Sequence, residues 1–333
     1  MAESTGKPFG TTFGEKMTTV SWTQDDGYGT PELVEVDDIT LHPGAHVLHY
    51  GSAVFEGLKA HRGDDGVVRI FRLDRHVERM QRSATFLCLP EPPRELTETM
   101  IIDTVKADID EVPDAPGALY IRPTMIGTEI NIGAAAHEPK SGLFYILTSP
   151  VGAYFEGDHT LRIAIETKRL RSTPGFGEAK AGANYAMALR IVREAEHMYD
   201  TDQVLFAPDG QIEETGAANF LLISDDAVVT PPTEGNILNG VTRDSILTLA
   251  HGMGYDVAER PITVSEATGW GHEAALSGTA AVLAPVGTLI HDGIEYQMGN
   301  GKPGPNTLRL RDTLRDIQLG RTDDAHGWVR PVT

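Results

Sequence analysis

Residues 178–186 read EAKAGANYA and place Lys180 among glycine and alanine residues. Small side chains allow a bound molecule to approach the backbone closely. A lysine in a segment of this composition is nonetheless usually solvated, so the segment is weak evidence when it is taken alone. Its meaning depends on the stretches that surround it, because they decide which fold carries the lysine.

Short strand-like and helical stretches lie on both sides of this segment. LRIAIET (161–167) predicts a strand before the lysine, and the helix predicted over 185–198 has one apolar stripe, formed by Ala188, Ile191, Val192, Ala195 and Met198. Further strands are predicted at QVLFAP (203–208), QIEETG (211–216), ANFLLI (218–223) and AVVTPP (227–232), and further helices over 243–253 and 307–318.

The N-terminal half has strands and helices of its own. Residues 17–36 predict two strands around a polar turn, and residues 117–127 and 142–152 predict two more. Two helices are predicted, one over 74–88 with Leu73, Val77, Met80, Ala84 and Leu87 on one stripe, and one over 95–110 with Leu96, Met100, Val105 and Ile109 facing inward.

The polar, glycine-containing stretch 151–160 is the candidate boundary between two domains, the number that a chain of 333 residues suggests. It predicts a smaller N-terminal α/β domain over residues 1–153, an interdomain loop over 154–160 and a larger C-terminal domain over 161–333. Strands and helices mix in both domains without the alternation of βαβ units, so the predicted fold class is α+β.

Composition excludes several functional classes. The formal net charge is −20, and such a surface repels the phosphates of nucleic acids and anionic lipids. Cys88 is the only cysteine, which excludes an internal disulfide and a cysteine-based zinc site. The N-terminal segment has no apolar signal core, and no apolar run approaches the roughly 18 residues of a membrane span. We therefore expect a cytoplasmic protein without nucleic-acid or membrane partners.

Two motifs suggest other chemistry. Residues 299–304 contain the GxGxxG pattern of dinucleotide-binding folds, but they lie too near the C-terminus to leave room for a βαβ unit, so a hairpin turn is expected.

His42, His46 and His49 have spacings that suggest a metal site. Residues 43–44 (Pro-Gly) interrupt any helix there, and in the strand expected after them His46 and His49 point to opposite faces, so no bound metal is expected.

Seven stretches, in this order along the chain, resemble the branched-chain aminotransferases, a family of fold-type IV enzymes that depend on pyridoxal 5′-phosphate (PLP). They are LHPGAHVLHYGSAVFEGLKAHRG (41–63), YIRPTMIGTE (120–129), SPVGAYFEG (149–157), KAGANYA (180–186), IEETGAANF (212–220), ILNGVTRD (237–244) and LSGTAAVLAPVG (276–287). The resemblance runs from about Phe9 to Trp328, nearly the whole chain.

This resemblance implies a fold and a reaction. The fold is the fold-type IV α+β architecture of two domains with PLP in the interdomain cleft. The reaction is that of a branched-chain-amino-acid transaminase, which moves the amino group of L-leucine, L-isoleucine or L-valine to 2-oxoglutarate. The reaction is expected to be reversible and ping-pong, with L-glutamate and the branched 2-oxo acid as products.

The resemblance also assigns the cofactor site. Lys180 is implied to form the internal aldimine and to move the substrate's Cα proton. Glu214 is implied to pair with the pyridinium nitrogen, whereas Glu213 points the other way on a strand and is expected to be solvated. Thr242 is independently a good N-cap for the helix predicted from residue 243, and a helix N-terminus favours an anion such as a phosphate. The other residues implied to bind PLP are Arg79, on the polar side of the 74–88 helix, Tyr185, Leu238, Val241 and Thr279.

For the substrate, Tyr120 and Arg122 alternate on one strand and therefore share a face. The resemblance implies that this face lines the pocket, with Tyr120 near the α-carboxylate and Arg122 near the distal carboxylate of glutamate. Tyr50 is implied to reach into the neighbouring subunit's site, so a homodimer or larger homo-oligomer is expected. The other residues implied to bind substrate are Phe55, Lys59, Tyr154, Thr279 and Ala280.

The chain departs from the family pattern at several alanines. Ala183 replaces the second glycine of the lysine motif, Ala217 replaces the threonine of animal members, and Ala281 and Ala284 replace their CxxC cysteines, which rules out a thiol switch there.

Other fold-type IV enzymes stay open as alternatives: D-amino acid transaminases, (R)-selective amine transaminases and aminodeoxychorismate lyases. A nicotinamide oxidoreductase and a catalytically inactive binding protein stay open from other classes. The VFEGLKA and YIRPT stretches favour the branched-chain enzymes.

Overall fold

A computed structural model describes residues 9–152 and 159–332. Within them the chain forms two compact units, the first containing residues 9–152, 179–183 and 317–332 and the second containing residues 159–178 and 184–316. Lys180 therefore belongs to the first unit, although the chain on both sides of it belongs to the second. The interdomain loop predicted over 154–160 lies mostly outside the described residues.

The described residues of the first unit form an antiparallel sheet of nine strands. These are β1 (Lys16–Thr23), β2 (Gly27–Tyr28), β3 (Glu32–Glu35), β4 (Ala53–Phe55), β5 (Leu58–Arg62), β6 (Val68–Phe71), β7 (Ala118–Gly127), β8 (Ser141–Val151) and β17 (Val329–Pro331). The order is β17-β6-β5-β7-β8-β1-β2, with β3 beside β1 and β4 beside β7. The strands predicted over 117–127 and 142–152 are thus confirmed, whereas residues 17–36 contribute to three strands where two were predicted.

Three α-helices accompany this sheet: α1 (His46–Tyr50), α2 (Leu73–Phe86) and α3 (Arg94–Ala107), and a 3-10 turn follows at Ile109–Glu111. The apolar stripe predicted for α2 is buried at Leu73, Val77, Met80 and Ala84, as its spacing of three and four residues requires. The same helix also buries three polar side chains, those of His76, Arg79 and Ser83. Buried polar groups need hydrogen-bond partners, and those of α2 lie at the candidate site described below.

The second unit contains, among its described residues, a mixed sheet of eight strands. These are β9 (Leu161–Glu166), β10 (Gln203–Phe206), β11 (Asn219–Ile223), β12 (Ala227–Thr230), β13 (Asp256–Glu259), β14 (Glu273–Gly278), β15 (Val282–His291) and β16 (Ile294–Gln297). The order is β10-β9-β15-β14-β11-β12-β13, with β16 beside β15. Its core is apolar and includes fully buried Ile163, Leu205, Phe220, Leu222 and Leu289. Each such side chain contributes about 1.5–3 kcal/mol by leaving water.

Four helices belong mainly to this part of the chain: α4 (Gly182–Tyr199), α5 (Val241–Gly252), α6 (Val264–Thr268) and α7 (Pro305–Gln318), together with a 3-10 turn at Pro208–Gly210. α4 packs on β9 and β10 through Ala188 and Ile191. Met198, which was predicted on the buried stripe, is 68% exposed. Near the end of α4, Ala195 and Tyr199 pack against the cluster of β9 and β10 instead.

Other expectations from the sequence are wrong in detail. Residues 211–216 form isolated bridges instead of a strand, because Thr215 N donates to Ala218 O and turns the chain back at once. The helix predicted over 95–110 ends at Ala107, and the predicted inward residues Leu96 and Ile109 are only partly buried, since Thr97, Ile101 and Thr104 occupy the inner face.

The two motifs with other possible chemistry also have defined places. Residues 299–304 connect β16 to α7 and do not form the predicted hairpin turn; Gly299 and Gly301 adopt positive φ angles of 52° and 76° there. His46 and His49 lie on the short helix α1, and not on a strand as predicted. A left-handed residue, Gly51 with φ 61°, ends that helix. No helix of the described residues combines the length and the apolar character that crossing a membrane requires.

Candidate active site

Lys180 is held by backbone hydrogen bonds within the first unit. Its amide donates to Ser83 Oγ of α2 at 3.0 Å, and its carbonyl accepts from Phe55 N of β4 at 3.0 Å. Ser83 is fully buried. The Lys180 Nζ lies 5.1 Å from the centroid of the Phe55 ring, within the range of a cation–π contact. The lysine predicted to be catalytic is therefore fixed at its backbone between a helix and a strand.

Arg79 lies in a buried ionic cluster, which we call the Glu56 cluster and define as Glu56, His76 and Arg79. The Arg79 Nε and Nη2 atoms donate to the two oxygens of Glu56 at 2.6 and 2.9 Å, and His76 Nδ1 lies 2.7 Å from Glu56 Oε2. All three residues are at most 4% exposed. The expectation that Arg79 occupies the polar side of its helix is wrong, because the arginine faces inward and Glu56 compensates its charge.

The pKa values of this cluster follow from burial and charge together. Burial raises the pKa of Glu56, but the charge of Arg79 and the hydrogen bonds from Arg79 and His76 outweigh that effect and hold the pKa well below its usual range. Burial lowers the pKa of His76, and the charges of Arg79 and Lys180 lower it further, against the opposing effect of Glu56. His76 is accordingly neutral near pH 7, with Glu56 and Arg79 charged.

Tyr120 and Arg122 share a face of β7, as their spacing predicted. Arg122 Nη2 donates to the Tyr120 hydroxyl at 2.9 Å, and the guanidinium carbon lies 4.5 Å from the centroid of the Phe55 ring. Among the described residues, the half-buried Arg122 forms no ion pair, and its Nε meets no hydrogen-bond acceptor. An incoming carboxylate is the natural partner for such a cation.

Two residues beside Tyr120 were not identified from the sequence. Phe9 packs edge-on against the Tyr120 ring, with centroids 4.9 Å apart. Gly57 leaves room for the Tyr120 hydroxyl, since a Cβ built on Gly57 lies only 1.9 Å from that oxygen. No local pattern could have shown either contact, because both residues are far from Tyr120 in sequence.

In the second unit, Glu214 is buried and held by three donors. Arg171 Nη2 lies 2.7 Å from Oε1, Leu238 N donates to Oε1 at 2.8 Å, and Asn219 Nδ2 donates to Oε2 at 2.9 Å. Arg171 is itself only 4% exposed and also donates to the carbonyl oxygens of Gly177 and Asn236 at 3.0 Å. Sequence reasoning missed Arg171, because nothing local distinguishes it from the exposed Arg169.

Glu213 is not the solvated carboxylate that was predicted. It is half-buried, and its carboxylate accepts a hydrogen bond from Asn236 Nδ2 at 2.8 Å. Burial raises the pKa of Glu213, with the hydrogen bond from Asn236 and the charge of Arg171 opposing the rise. The two adjacent carboxylates therefore have different surroundings, and only Glu214 has a buried guanidinium within hydrogen-bond distance.

Val241 and Thr242 form the first turn of α5. The N-cap is Gly240 and not Thr242 as predicted. A Cβ on Gly240 lies only 2.0 Å from Asn219 Oδ1, so a larger residue has no room at this cap. The Val241 and Thr242 amides are at the positive end of the helix dipole, where backbone N–H groups have no carbonyl partner within the helix. The helix end suits a phosphate. Just before it, Asn219 Nδ2 donates both to the Leu238 carbonyl and to Glu214 Oε2, each at 2.9 Å.

The other residues implied by the resemblance have defined places. In the first unit, Lys59 is buried on β5, and the Tyr50 hydroxyl donates to the Ile132 carbonyl at the surface. In the second unit, the half-buried residues are Tyr185 in the first turns of α4, Leu238 before α5, and Thr279 and Ala280 in the turn between β14 and β15. Tyr154 lies outside the described residues.

Both units have the donor groups that PLP requires. The second unit provides a buried carboxylate for a protonated ring nitrogen and a helix N-terminus for a phosphate dianion. The first unit provides a lysine whose backbone is fixed and a half-buried arginine suited to an anion. Each group is of the chemical type that the cofactor and an amino-acid substrate demand, so the residues present fit PLP.

Comparisons with known proteins agree with this chemistry. The family model of amino-transferase class IV matches residues 53–289. The chain is 38% identical to a probable branched-chain-amino-acid aminotransferase of Streptomyces coelicolor, over 97% of this chain and 92% of the relative. It is also 38% identical to a mitochondrial branched-chain-amino-acid aminotransferase of Bos taurus, over 97% and 86%.

Solved structures of similar proteins share the fold. The branched-chain amino acid aminotransferase of Thermobaculum terrenum in its PLP form has a TM-score of 0.79 and 25% identity, covering 96% of this chain and 99% of that one. The Escherichia coli branched-chain amino acid aminotransferase has a TM-score of 0.79 and 27% identity, covering 94% and 99%. The fold-type IV α+β architecture expected from the sequence is thereby confirmed.

Proposed function

This chain belongs to the class IV aminotransferases, and we propose that it transfers the amino group of L-leucine, L-isoleucine or L-valine to 2-oxoglutarate with PLP as its cofactor. One observation carries the proposal. Glu214 is a buried carboxylate with a buried guanidinium and two further donors around it, in a chain whose relatives are branched-chain aminotransferases. A protonated pyridine nitrogen requires such an anionic partner.

Different residues of the chain are proposed to bind the cofactor and to move the substrate proton. When bound, PLP takes up electrons from the substrate's breaking Cα–H bond. Lys180 anchors the cofactor and carries the Cα proton, with its backbone held by Ser83 and Phe55. Glu214 keeps the ring nitrogen protonated, and Tyr185 donates to the phenolic oxygen. The remaining assigned residues hold the phosphate or the ring: Arg79, Val241, Thr242 and Thr279 for the phosphate, and Leu238 for the ring.

Arg122 is proposed to allow one pocket to bind both leucine and glutamate, whose side chains differ in charge. Leucine presents only hydrocarbon, for which Phe55 supplies an apolar surface, whereas glutamate presents a second carboxylate that must be paired when it leaves water. Arg122 is half-buried and forms no ion pair with any described residue. Tyr120 is proposed to bind the α-carboxylate common to both substrates, with Thr279 and Ala280, while Lys59 and Tyr154 complete the pocket.

We further propose a homodimer or a larger homo-oligomer in the cytoplasm. The surface around Tyr50 supports the oligomer, because Leu48, Ile130 and Ile132 are 58%, 62% and 70% exposed. Exposed apolar side chains in one region are typical of protein interfaces. Tyr50 is proposed to reach the neighbouring subunit's site. Because Cys88 is the only cysteine, the chain has no internal disulfide, which is usual for proteins of the reducing cytoplasm.

The first experiment tests the cofactor lysine. Purified protein is expected to be yellow, and borohydride is expected to remove that absorbance. Lys180→Ala should abolish turnover, because it removes the anchor and the proton carrier together. Lys168→Ala is the matched control, since Lys168 is exposed. Near wild-type turnover by Lys180→Ala contradicts the assignment of the lysine.

The second experiment tests the substrate class. Both enantiomers of leucine, isoleucine and valine, together with a chiral (R)-amine, are offered as donors with 2-oxoglutarate as acceptor. We expect turnover with the three L-amino acids and none with their D-enantiomers or the amine. A preference for the D-enantiomers or the (R)-amine would assign the chain to another class IV activity while keeping the cofactor assignment.

A further inference from the structure

Helix α2 has an unusual buried face, on which polar residues recur at the spacing of the apolar stripe. His76, Arg79 and Ser83 lie on consecutive turns and are 2%, 4% and 0% exposed. Ser83 accepts the hydrogen bond from the amide of Lys180. The other two meet Glu56, in the short link between β4 and β5. The Glu56 cluster therefore occupies the turns of α2 next to the turn that holds the catalytic lysine.

The contacts of Glu56 restrict how Arg79 can be oriented. Its two oxygens receive the Nε and Nη2 atoms of Arg79 side by side, at 2.6 and 2.9 Å. A paired contact of this kind fixes the plane of the guanidinium as well as its distance. His76 Nδ1 lies 2.7 Å from Glu56 Oε2 and restrains the carboxylate from a second direction. The orientation of Arg79 is thus determined by two residues that are not themselves implied to touch the cofactor.

The cost of this arrangement also indicates a function. Buried ion pairs contribute little net stability, because desolvation of the two charges offsets their attraction, and apolar side chains of similar volume often serve the fold as well. A buried carboxylate, imidazole and guanidinium next to Lys180 are therefore poorly explained by stability alone. A second role for the cluster is the orientation of a ligand-binding arginine, a role for which geometry matters more than energy.

We propose that Glu56 and His76 are positioning residues for the cofactor phosphate and act through Arg79. The inference rests on the proposed function, in which Arg79 binds that phosphate. Glu56 holds the guanidinium in the plane and direction that the phosphate requires, and His76 holds Glu56. Neither residue needs to contact the cofactor.

The test compares two cofactor forms that differ only in the phosphate. Apoprotein is titrated with PLP and with pyridoxal, which lacks the phosphate, and the ratio of the two affinities measures the phosphate's contribution. We expect Glu56→Gln to lower this ratio by about tenfold or more, since the neutral amide loses the charge-assisted pair but keeps the shape. Pyridoxal affinity should change little. A role confined to folding lowers both affinities together and leaves the ratio unchanged.

Matched variants keep the test decisive. Glu78→Gln makes the same chemical change on the solvent face of the same helix, where Glu78 pairs with Arg75 and Arg94, and it should leave the ratio within about twofold of wild type. His76→Asn keeps the Glu56–Arg79 pair and should lower the ratio by a smaller factor, about threefold. If Glu56→Gln does not fold, His76→Asn decides the question. An unchanged ratio in whichever of Glu56→Gln and His76→Asn folds contradicts the proposal.

Arg79→Lys separates this inference from the function on which it rests. The variant keeps a cation beside Glu56 but loses the planar pair of donors. If Arg79→Lys lowers the PLP-to-pyridoxal ratio and Glu56→Gln does not, Arg79 binds the phosphate and only the positioning role is wrong. If neither Arg79→Lys nor the neutral Arg79→Gln lowers the ratio, the phosphate assignment of Arg79 itself is wrong.

Discussion

Replacing Arg122 with methionine should separate the two half-reactions of the enzyme. The substitution removes the guanidinium while it keeps an unbranched apolar side chain of comparable reach. It removes three things at once: the hydrogen bond to the Tyr120 hydroxyl at 2.9 Å, the cation over the Phe55 ring at 4.5 Å, and the charge on this face of β7 that is proposed to meet the glutamate side chain. The first two losses affect every substrate, whereas the third affects glutamate alone.

The size of the effect follows from the burial of Arg122. Removing one member of a buried charge pair costs about 2–5 kcal/mol, and a half-buried arginine belongs at the lower end, about 2–3 kcal/mol, for glutamate. Both substrates lose the hydrogen bond to Tyr120 and the cation over the Phe55 ring, about 1 kcal/mol in common. The difference between the two substrates is therefore the lost charge pair alone, roughly 2–3 kcal/mol. Since 1.4 kcal/mol is a factor of ten, the variant should discriminate against glutamate by roughly 30- to 140-fold.

Single-turnover absorbance changes of the bound cofactor measure each half-reaction separately. The PLP form is mixed with leucine or with glutamate, and kcat/KM for each is compared between wild type and Arg122→Met. Tyr120→Phe is the matched control, because it breaks the same hydrogen bond from the other side and leaves the arginine charge in place. Its losses for leucine and glutamate should be nearly equal. Equal losses in Arg122→Met as well would refute charge recognition by Arg122 and leave the aminotransferase assignment standing.

Three further predictions concern carboxylates and one guanidinium. Glu214→Gln should keep PLP bound and lower the steady-state turnover rate by about 100-fold or more, whereas Glu213→Gln should lower it only slightly. The opposite ranking would assign the ring nitrogen to Glu213. Arg171→Met should lower the free energy of unfolding in urea by about 3 kcal/mol, because it leaves the charge of Glu214 buried without its partner. Arg169→Met breaks only exposed ion pairs and should lower it by less than about 1 kcal/mol. Equal losses in the two variants would contradict the buried-pair argument. The pKa of Glu56 is below its ordinary value of 4.5, so its charged form stabilises the fold above that pH, and this stabilisation is lost as the pH falls. Glu56→Gln should therefore flatten the acid side of the profile of Tm against pH. An unchanged slope would argue against the lowered pKa of Glu56.

Much of the fold was predictable because local patterns report which side chains face a core. The alternation along 117–127 and 142–152 and the three-and-four spacing from Leu73 to Ala84 correspond to β7, β8 and α2. The expectations failed where tertiary contacts outweighed local preference. Thr242 is a better N-cap than glycine by side chain, yet α5 begins after Gly240, since Asn219 occupies the space that a Cβ would need.

The sequence by itself determined the family and predicted Lys180 as the cofactor lysine, since the order and spacing of motifs can be read without coordinates. Only the tertiary structure showed how the candidate site is held. Ser83 contacts Lys180 across 97 positions, and Arg79 contacts Glu56 across 23, so neither pair lies within one helical or strand repeat. Whether a charged side chain is solvated or buried against an opposite charge depends on such pairings. For that reason Arg79, expected on a polar face, lies in the buried Glu56 cluster, and Arg171, indistinct in sequence from Arg169, holds Glu214.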